Sequence, residues 1–128
     1  MTSVFIIEND FSLQILYKKI LEYGGFKVLD TAITGEEAIT KYKEFKKKPD
    51  IILLDYRMPM KNGFEITKEI LNIDEEAIII IASGDAKARS LALEIGAKRF
   101  LKKPFTSEKL LTEIKDLVIK INPLVNRA

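Results

Sequence analysis

The chain has 128 residues and a formal net charge of +2, and it contains no cysteine, histidine or tryptophan. Without cysteine and histidine it has no disulfide framework, no thiol nucleophile, no Ser-His-Asp triad and no zinc site built from thiolates or imidazoles. Hydrophobic residues make up 47% and charged residues 31%, which suits one globular domain whose chemistry rests on carboxylates, hydroxyls, lysines and the backbone.

Short apolar segments predict five strands. They are residues 4–7, 28–29, 51–54, 77–82 and 100–101. Helical spacing of apolar residues between and after them predicts five helices. The series are Leu13, Leu16, Ile20 and Tyr23; Ala38, Tyr42 and Phe45; Ile66, Ile70 and Ile73; residues 86–95; and Leu110, Leu111, Ile114, Leu117, Val118 and Ile121 within 106–121. Helix boundaries are indicated by Gly24, the capping box that opens at Thr34, the cap at Asn62, Gly96 and Pro123.

Alternating strands and helices predict an α/β fold with a doubly wound, five-stranded parallel sheet and a layer of helices on each face. The continuous apolar runs of the third and fourth strands fit burial on both sides. In such folds ligands bind at the carboxyl ends of the strands. We therefore expect one domain over residues 1–121, followed by a short tail at 122–128.

The residues at the ends of the strands carry the candidate chemistry. Strand one is followed by Glu8, Asn9 and Asp10, and strand three by Asp55. Strand four is followed by Ser83, Gly84 and Asp85, and strand five by Lys102, Lys103 and Pro104. Neighbouring carboxylates repel one another unless a cation neutralises them, and oxygen ligands suit Mg²⁺. A lysine and a hydroxyl opposite the metal can hold phosphoryl oxygens, and a carboxylate can act as the nucleophile. This combination predicts a phosphoryl-acceptor site.

The segment LDYRMPMKNG at residues 54–63 resembles the pattern D-x-x-M-P-x-x-[DN]-G of the receiver domains of two-component response regulators. Lys103-Pro104-Phe105, Glu8 and Ser83 match further signatures of that family in the right order. The resemblance runs from Val4 to about Ile121. It implies the flavodoxin-like strand order 2-1-3-4-5 and a chemotaxis-type, stand-alone receiver.

The resemblance also implies a role for each matching residue. Asp55 is the expected phosphoacceptor. Mg²⁺, which Mn²⁺ can replace, is expected to bind Glu8, Asp55 and the backbone carbonyl of Arg57. Ser83 and Lys103 are expected to contact the phosphoryl group, with Phe100 as the switch aromatic. Structural roles fall to Pro59, Gly63 and Pro104, and the peptide bond before Pro104 fits a cis form.

Two features depart from the family pattern. The family has two adjacent acids after the first strand, whereas this chain has Glu8-Asn9. Asparagine supplies an oxygen without a charge, so we expect weaker Mg²⁺ binding, which Asp10 can offset if the turn aims it at the site. The segment from Gly84 to Ala97 is about two residues short for the family, which trims the fourth helix or the loop before it.

Some of these residues also have plain structural interpretations. Asn9 can cap the first helix, and Glu8 and Asp10 suit its positive N-terminal end. Ser83 can be a loop hydroxyl, and Phe100 can be an ordinary core residue. The lysines at 46–48 fit a solvated loop, with a nucleic-acid contact as the alternative.

The interpretation as a whole is a phosphorylation-switched signalling module rather than a turnover enzyme. The expected partners are a histidine kinase or histidine phosphotransfer protein and a protein target at the face of helix four, strand five and helix five. A degenerate receiver that binds a partner constitutively is the alternative. Nucleotide or flavin binding is disfavoured because the glycine-rich phosphate loops are missing. We expect a cytoplasmic monomer or weak homodimer, without nucleic-acid or membrane contact.

Overall fold

A computed structural model of the chain describes residues 1–121, and the tail predicted at 122–128 lies outside the described residues. Five strands alternate with five helices. The strands are β1 (Ser3–Ile7), β2 (Lys27–Ala32), β3 (Ile51–Asp55), β4 (Ile79–Ser83) and β5 (Arg99–Lys102). The helices are α1 (Phe11–Tyr23), α2 (Gly35–Glu44), α3 (Gly63–Ile73), α4 (Ala88–Glu94) and α5 (Ser107–Ile121).

All neighbouring strands pair in parallel, in the order β2-β1-β3-β4-β5. The flavodoxin-like strand order that the sequence implied is therefore confirmed. The order reverses at β1, where β2 lies on one side and β3 on the other. Since the carboxyl ends of β1 and β3 lie side by side there, this edge is where such folds bind ligands.

Two apolar layers cover the sheet, because alternate strand residues point to opposite faces. On one face, residues such as Ile6 and Leu53 pack with α1 and α5. On the other, residues such as Ile7 and Leu54 pack with α2, α3 and α4. Burial on both faces explains why the central strands are unbroken apolar runs.

The buried face of α1 differs from the apolar series in its sequence. The helix buries Gln14, Tyr17 and Leu21, while Leu16 is 48% exposed and Tyr23 is 91% exposed. The apolar series instead lies at the boundary with α5 and solvent. Gln14 is suited to burial because its amide donates to the backbone oxygens of Glu8 and Ala32, both at 3.2 Å.

The lysines at 46–48 do not form a uniformly solvated loop. Lys46 and Lys47 are exposed, but the Lys48 ammonium donates to the carbonyls of Tyr42 at 2.6 Å and Phe45 at 3.1 Å. It also lies 5.0 Å from the centroid of the Tyr42 ring. These carbonyls at the end of α2 have no helical partner, so Lys48 closes the helix instead of projecting into solvent.

The fourth helix is short and lightly anchored. It has seven residues, Ala92 alone is buried, and Lys87 at its N-cap makes no side-chain cap bond. The sequence predicted residues 86–95, so the structure shortens the helix at both ends. Few buried contacts and no cap leave α4 with less local stability than its neighbours.

Among the described residues 1–121, no helix combines the length and apolar character that crossing a bilayer requires.

Gly63 begins α3 where the backbone passes close to β3, and this packing gives a stability prediction. A Cβ at Gly63 would lie 2.8 Å from the Tyr56 Cα and 3.1 Å from the Asp55 carbonyl oxygen. Because both neighbours are backbone atoms, Gly63→Ala should lower the free energy of unfolding by about 1–3 kcal/mol, as overpacking does. Urea denaturation measures this change.

Gly84→Ala is the matched control, because a Cβ at Gly84 would meet no atom within 4 Å. It should leave stability unchanged or raise it by about 0.4–1 kcal/mol through the unfolded chain. Equal urea midpoints for the two variants would contradict the close approach at Gly63.

Candidate functional site

The carboxyl ends of four strands bring the candidate side chains together. Asp55 and Ser83 are the last residues of β3 and β4, and Glu8 and Lys103 directly follow β1 and β5. The strand register pairs Ile7 with Leu54, Asp55 with Ala82 and Ser83 with Lys102. Four residues predicted from separate parts of the sequence therefore share one edge of the sheet.

The centre of the site is an ammonium between two buried carboxylates. Lys103 Nζ lies 3.0 Å from Glu8 Oε1 and 2.9 Å from Asp55 Oδ1. The side chains of Glu8 and Asp55 are only 3% and 9% exposed, and that of Lys103 is 20% exposed. Two carboxylates at this depth would repel strongly, so the lysine makes their burial tolerable.

Burial and pairing act in opposite directions on the charges of this cluster. Burial raises the pKa of Glu8, and hydrogen bonds from Lys103 and the Asp10 amide only partly offset it. Burial alone would lower the pKa of Lys103, but its hydrogen bonds to Asp55 and Glu8 outweigh that effect and raise it. The lysine therefore stays charged at neutral pH.

The turn between β1 and α1 uses its polar residues for structure. Asp10, not Asn9, is the N-cap of α1, and its Oδ1 accepts from the amides of Ser12 at 2.8 Å and Leu13 at 3.2 Å. Asn9 Nδ2 donates to the Ile33 carbonyl at 3.0 Å. Both side chains are exposed, and one Asp10 oxygen is already committed to the helix.

The loop from β3 to α3 holds the motif that begins at Asp55. Asn62 caps α3 through a full capping box with Glu65, as the sequence predicted. The Gly63 amide donates to the Tyr56 carbonyl at 2.8 Å, which closes the loop below Asp55. Arg57 and Pro59 are exposed.

On the far side of Asp55, Ser83 is buried at the end of β4. Its Oγ accepts from the Asp85 amide at 3.1 Å, and its carbonyl accepts from the Lys103 amide at 2.8 Å. The peptide bond between Lys103 and Pro104 is cis. Ser83 lies at the end of strand β4 and not in a loop, and its carbonyl connects that strand to the segment that carries Lys103.

Phe100 in β5 is buried, with only 4% of its surface exposed. The Arg89 guanidinium lies 5.1 Å from its ring centroid, on the side of α4. The ring belongs to the apolar layer between the sheet and the helices α2, α3 and α4. This buried position agrees with the interpretation of Phe100 as a core residue. Its role as a switch remains a prediction.

The donor set at the site fits Mg²⁺. The carboxylates of Glu8 and Asp55 lie together here and offer hard oxygen ligands, and Mg²⁺ keeps waters at its remaining positions. The backbone carbonyl of Arg57 stays a predicted further ligand. Across residues 1–121, however, no group of three or more acidic side chains is placed to hold a metal ion.

Sequence reasoning missed two buried polar residues beside the site. Gln14 fixes the end of β1 through its bonds to Glu8 and Ala32. Tyr17 stacks on Phe105 with ring centroids 5.4 Å apart. Steps of three and four residues separate Gln14, Tyr17 and Leu21, so their spacing is consistent with one face of a helix. The apolar residues of α1, however, favoured a different face as the buried one.

Comparison with known proteins identifies the family. Residues 4–115 match the family model of the response regulator receiver domain. A chemotaxis protein CheY of Thermotoga maritima is 36% identical over 110 residues, covering 84% of this chain and 90% of that protein. The Bacillus subtilis CheY is 34% identical over 113 residues, covering 87% and 92%.

Solved structures agree. A chain in the CheX–CheY–BeF₃–Mg²⁺ complex from Borrelia burgdorferi superposes with a TM-score of 0.83 at 32% identity, covering 91% of this chain and 89% of that one. A receiver domain protein from Clostridium thermocellum gives a TM-score of 0.88 at 28% identity, covering 97% and 99%. With its strand order, its site and these relatives in agreement, the chain belongs to the response regulator receiver domain family.

Proposed function

We propose that the chain is the phosphoacceptor module of a two-component system and receives a phosphoryl group on Asp55 from a phosphohistidine. The observation that carries this proposal is the contact of Lys103 with both Asp55 and Glu8 at the carboxyl ends of the strands. Similarity to chains described as CheY and response regulators supports it. The donor is a histidine kinase or histidine phosphotransfer protein, and the exchange takes place in the cytoplasm.

The transfer is a displacement at phosphorus. An Asp55 carboxylate oxygen attacks the phosphohistidine phosphorus, a P–O bond forms, and the P–N bond breaks as the electron pair returns to the imidazole. Asp55 then carries an acyl phosphate, which water later hydrolyses. The protein is consumed stoichiometrically as a signal carrier and is not a turnover enzyme.

Mg²⁺ or Mn²⁺, when bound, neutralises charge between Asp55 and the phosphoryl oxygens. Glu8, Asp55 and the Arg57 carbonyl would hold it, with Asn9 and Asp10 as further predicted ligands at the same turn. Lys103 then releases Glu8 and pairs with a phosphoryl oxygen, and the Ser83 hydroxyl turns from Asp85 to donate to another.

Switching needs more than one of these contacts. A swing from 1% to 99% occupancy takes about 5.5 kcal/mol, and one hydrogen bond to a charged group gives about 1.5–3 kcal/mol. Ser83, Lys103 and repacking of Phe100 must therefore act together. These changes move α4 at the lowest cost in free energy, because that helix has few buried contacts. The face of α4, β5 and α5 is therefore the surface that a protein target recognises.

A second candidate function rests on the same contacts. Lys103 already pairs with both buried carboxylates, and position 9 carries an uncharged asparagine in place of an acid. A receiver of this kind can keep a fixed shape and bind a partner constitutively. The response to a phosphoryl mimic separates the two functions.

Beryllofluoride, a phosphoryl mimic, tests the phosphoacceptor role. With Mg²⁺ present it should shift the amide NMR signals of the wild type from Asp55 through Ser83 and Phe100 to Lys103. Asp55→Ala should lose these shifts because it lacks the oxygen that binds beryllium. Glu75→Ala, which removes an exposed acid at the opposite end of the sheet, is the matched control and should respond as the wild type does.

Silence of the wild type and Asp55→Ala alike would overturn phosphoacceptance and favour the constitutive binding module.

Restoring an acid at position 9 should strengthen metal binding. A carboxylate charge close to a bound cation would contribute on the order of 1 kcal/mol or more even at the dielectric constant of water, so Asn9→Asp should lower the Mg²⁺ dissociation constant about fivefold or more. Titration followed by tyrosine fluorescence measures the constant, and the lack of tryptophan leaves that signal unobscured.

Asp10→Asn is the companion variant, because asparagine keeps the cap of α1 and removes only the charge. An unchanged constant would exclude Asp10 as a compensating ligand, and a weakened one would support it. A constant unaffected by Asn9→Asp would show that position 9 does not face the metal.

A further inference from the structure

One long side chain of α4 reaches back to β5. Arg89 is exposed, and its guanidinium lies over the ring of Phe100, 5.1 Å from the ring centroid. Phe100 itself is buried in the apolar layer on that face of the sheet. A cation within about 6 Å of an aromatic ring is attracted by the negative charge of the ring face. The contact therefore joins a core residue of β5 to the surface of α4.

The helix has few other anchors. Ala92 is the only buried residue of α4, and the N-cap of the helix makes no side-chain hydrogen bond. Ala92 and the partly buried Ala88 pack on the same apolar layer as Phe100, but each offers a single methyl group. With so few buried contacts, the position of α4 depends more on the Arg89 contact than that of a well-packed helix would.

The residue before Phe100 faces the other layer of helices. Successive residues of a strand point to opposite faces of the sheet, and Arg99 lies against α5. Its guanidinium pairs with Glu113 at 3.2 Å and with Asp116 at 2.6 Å. Two ion pairs thus fasten β5 to α5, whereas the guanidinium of Arg89 meets β5 only through an aromatic ring. A change at Phe100 therefore meets less resistance on the side of α4.

We propose that Arg89 is a positioning residue that couples Phe100 to α4. Through its guanidinium, a change in the packing of Phe100 moves α4, and with it the exposed side chains of Leu91 and Leu93. Phenylalanine has no hydroxyl with which to bond a neighbouring helix, so the cation supplies the specific contact. This inference rests on the proposed phosphoacceptor function and deepens it by naming the residue that carries the change from β5 to α4.

Four variants separate the contact with the ring from the charge of the helix. Arg89→Gln removes the cation, Arg89→Lys keeps one, and Phe100→Leu removes the ring. Lys87→Gln is the matched control, because it removes a cation from the N-cap of α4 that makes no side-chain cap bond. The direct readout is the hydrogen exchange of the α4 amides, such as that of Leu93, without Mg²⁺ or beryllofluoride.

The expected result is specific to the ring contact. Arg89→Gln should speed exchange of the α4 amides about two- to fivefold, the effect of one lost cation–π contact at an exposed site, and Arg89→Lys should speed it less. In a Phe100→Leu background, Arg89→Gln should cause no such increase, because the ring is already absent. Lys87→Gln should leave exchange unchanged or slow it, since a cation near the N-terminal end of a helix is unfavourable.

The coupling is then measured with Mg²⁺ and beryllofluoride. The wild type, Arg89→Lys and Lys87→Gln should show amide shifts at Ser83 and Lys103 and throughout α4. Arg89→Gln should keep the shifts at Ser83 and Lys103 but lose most of those in α4, because the path from Phe100 to the helix is broken.

The inference is overturned if Arg89→Gln leaves exchange of the α4 amides at the wild-type rate, or speeds it equally with and without the Phe100 ring. It is also overturned if the α4 shifts with beryllofluoride persist in Arg89→Gln. If the wild type itself fails to bind beryllofluoride, the phosphoacceptor function falls. The exchange rates of the ion-free protein still decide whether Arg89 holds α4 to Phe100.

Discussion

The ammonium of Lys103 between Glu8 and Asp55 is the interaction on which the site depends. Two carboxylates buried this deeply at adjacent strand ends would destabilise the fold unless a cation joined them. The parallel sheet creates this problem, because it collects the carboxyl ends of β1, β3 and β5 at one edge. The same sheet also places Lys103, which follows β5, in contact with both Asp55 at the end of β3 and Glu8 after β1.

Under the proposed function, the same interaction would make the site responsive to a change of charge at Asp55. One ammonium compensates only one of the two carboxylate charges, so under the proposed function a new negative charge at Asp55 would change how Lys103 divides its contacts between Asp55 and Glu8. Ser83 is bonded to the Lys103 amide, and the backbone of β5 leads directly to Phe100. Under the proposed function, a change in the position of Lys103 would therefore reach Phe100 next, and then the short α4, whose Arg89 lies beside the Phe100 ring.

The sequence was enough to predict the strands, their order by resemblance, and the meeting of Glu8, Asp55, Ser83 and Lys103. Unbroken apolar runs mark buried strands, and they thereby locate the polar residues at the carboxyl ends. Prediction failed for polar side chains that are buried or that cap a helix. Apolarity favoured Leu16 as a buried residue, yet α1 buries Gln14, whose amide satisfies two backbone oxygens. The sequence did not decide whether Asn9 or Asp10 caps α1, because the side-chain oxygens of both residues accept hydrogen bonds from backbone amides equally well.

Asn9 determines what net charge the site would carry at each step of the proposed transfer. Glu8, Asp55 and Lys103 together contribute one net negative charge to the site. If a divalent cation is bound as proposed, the net charge would be positive, and a phosphoryl group of about two negative charges in place of the charge of Asp55 would bring it close to neutral. An acid at position 9 would hold the metal better but leave the phosphorylated site negative. Under the proposed function, the asparagine would therefore lower the affinity for the metal in the resting state and bring the charge of the phosphorylated cluster closest to zero.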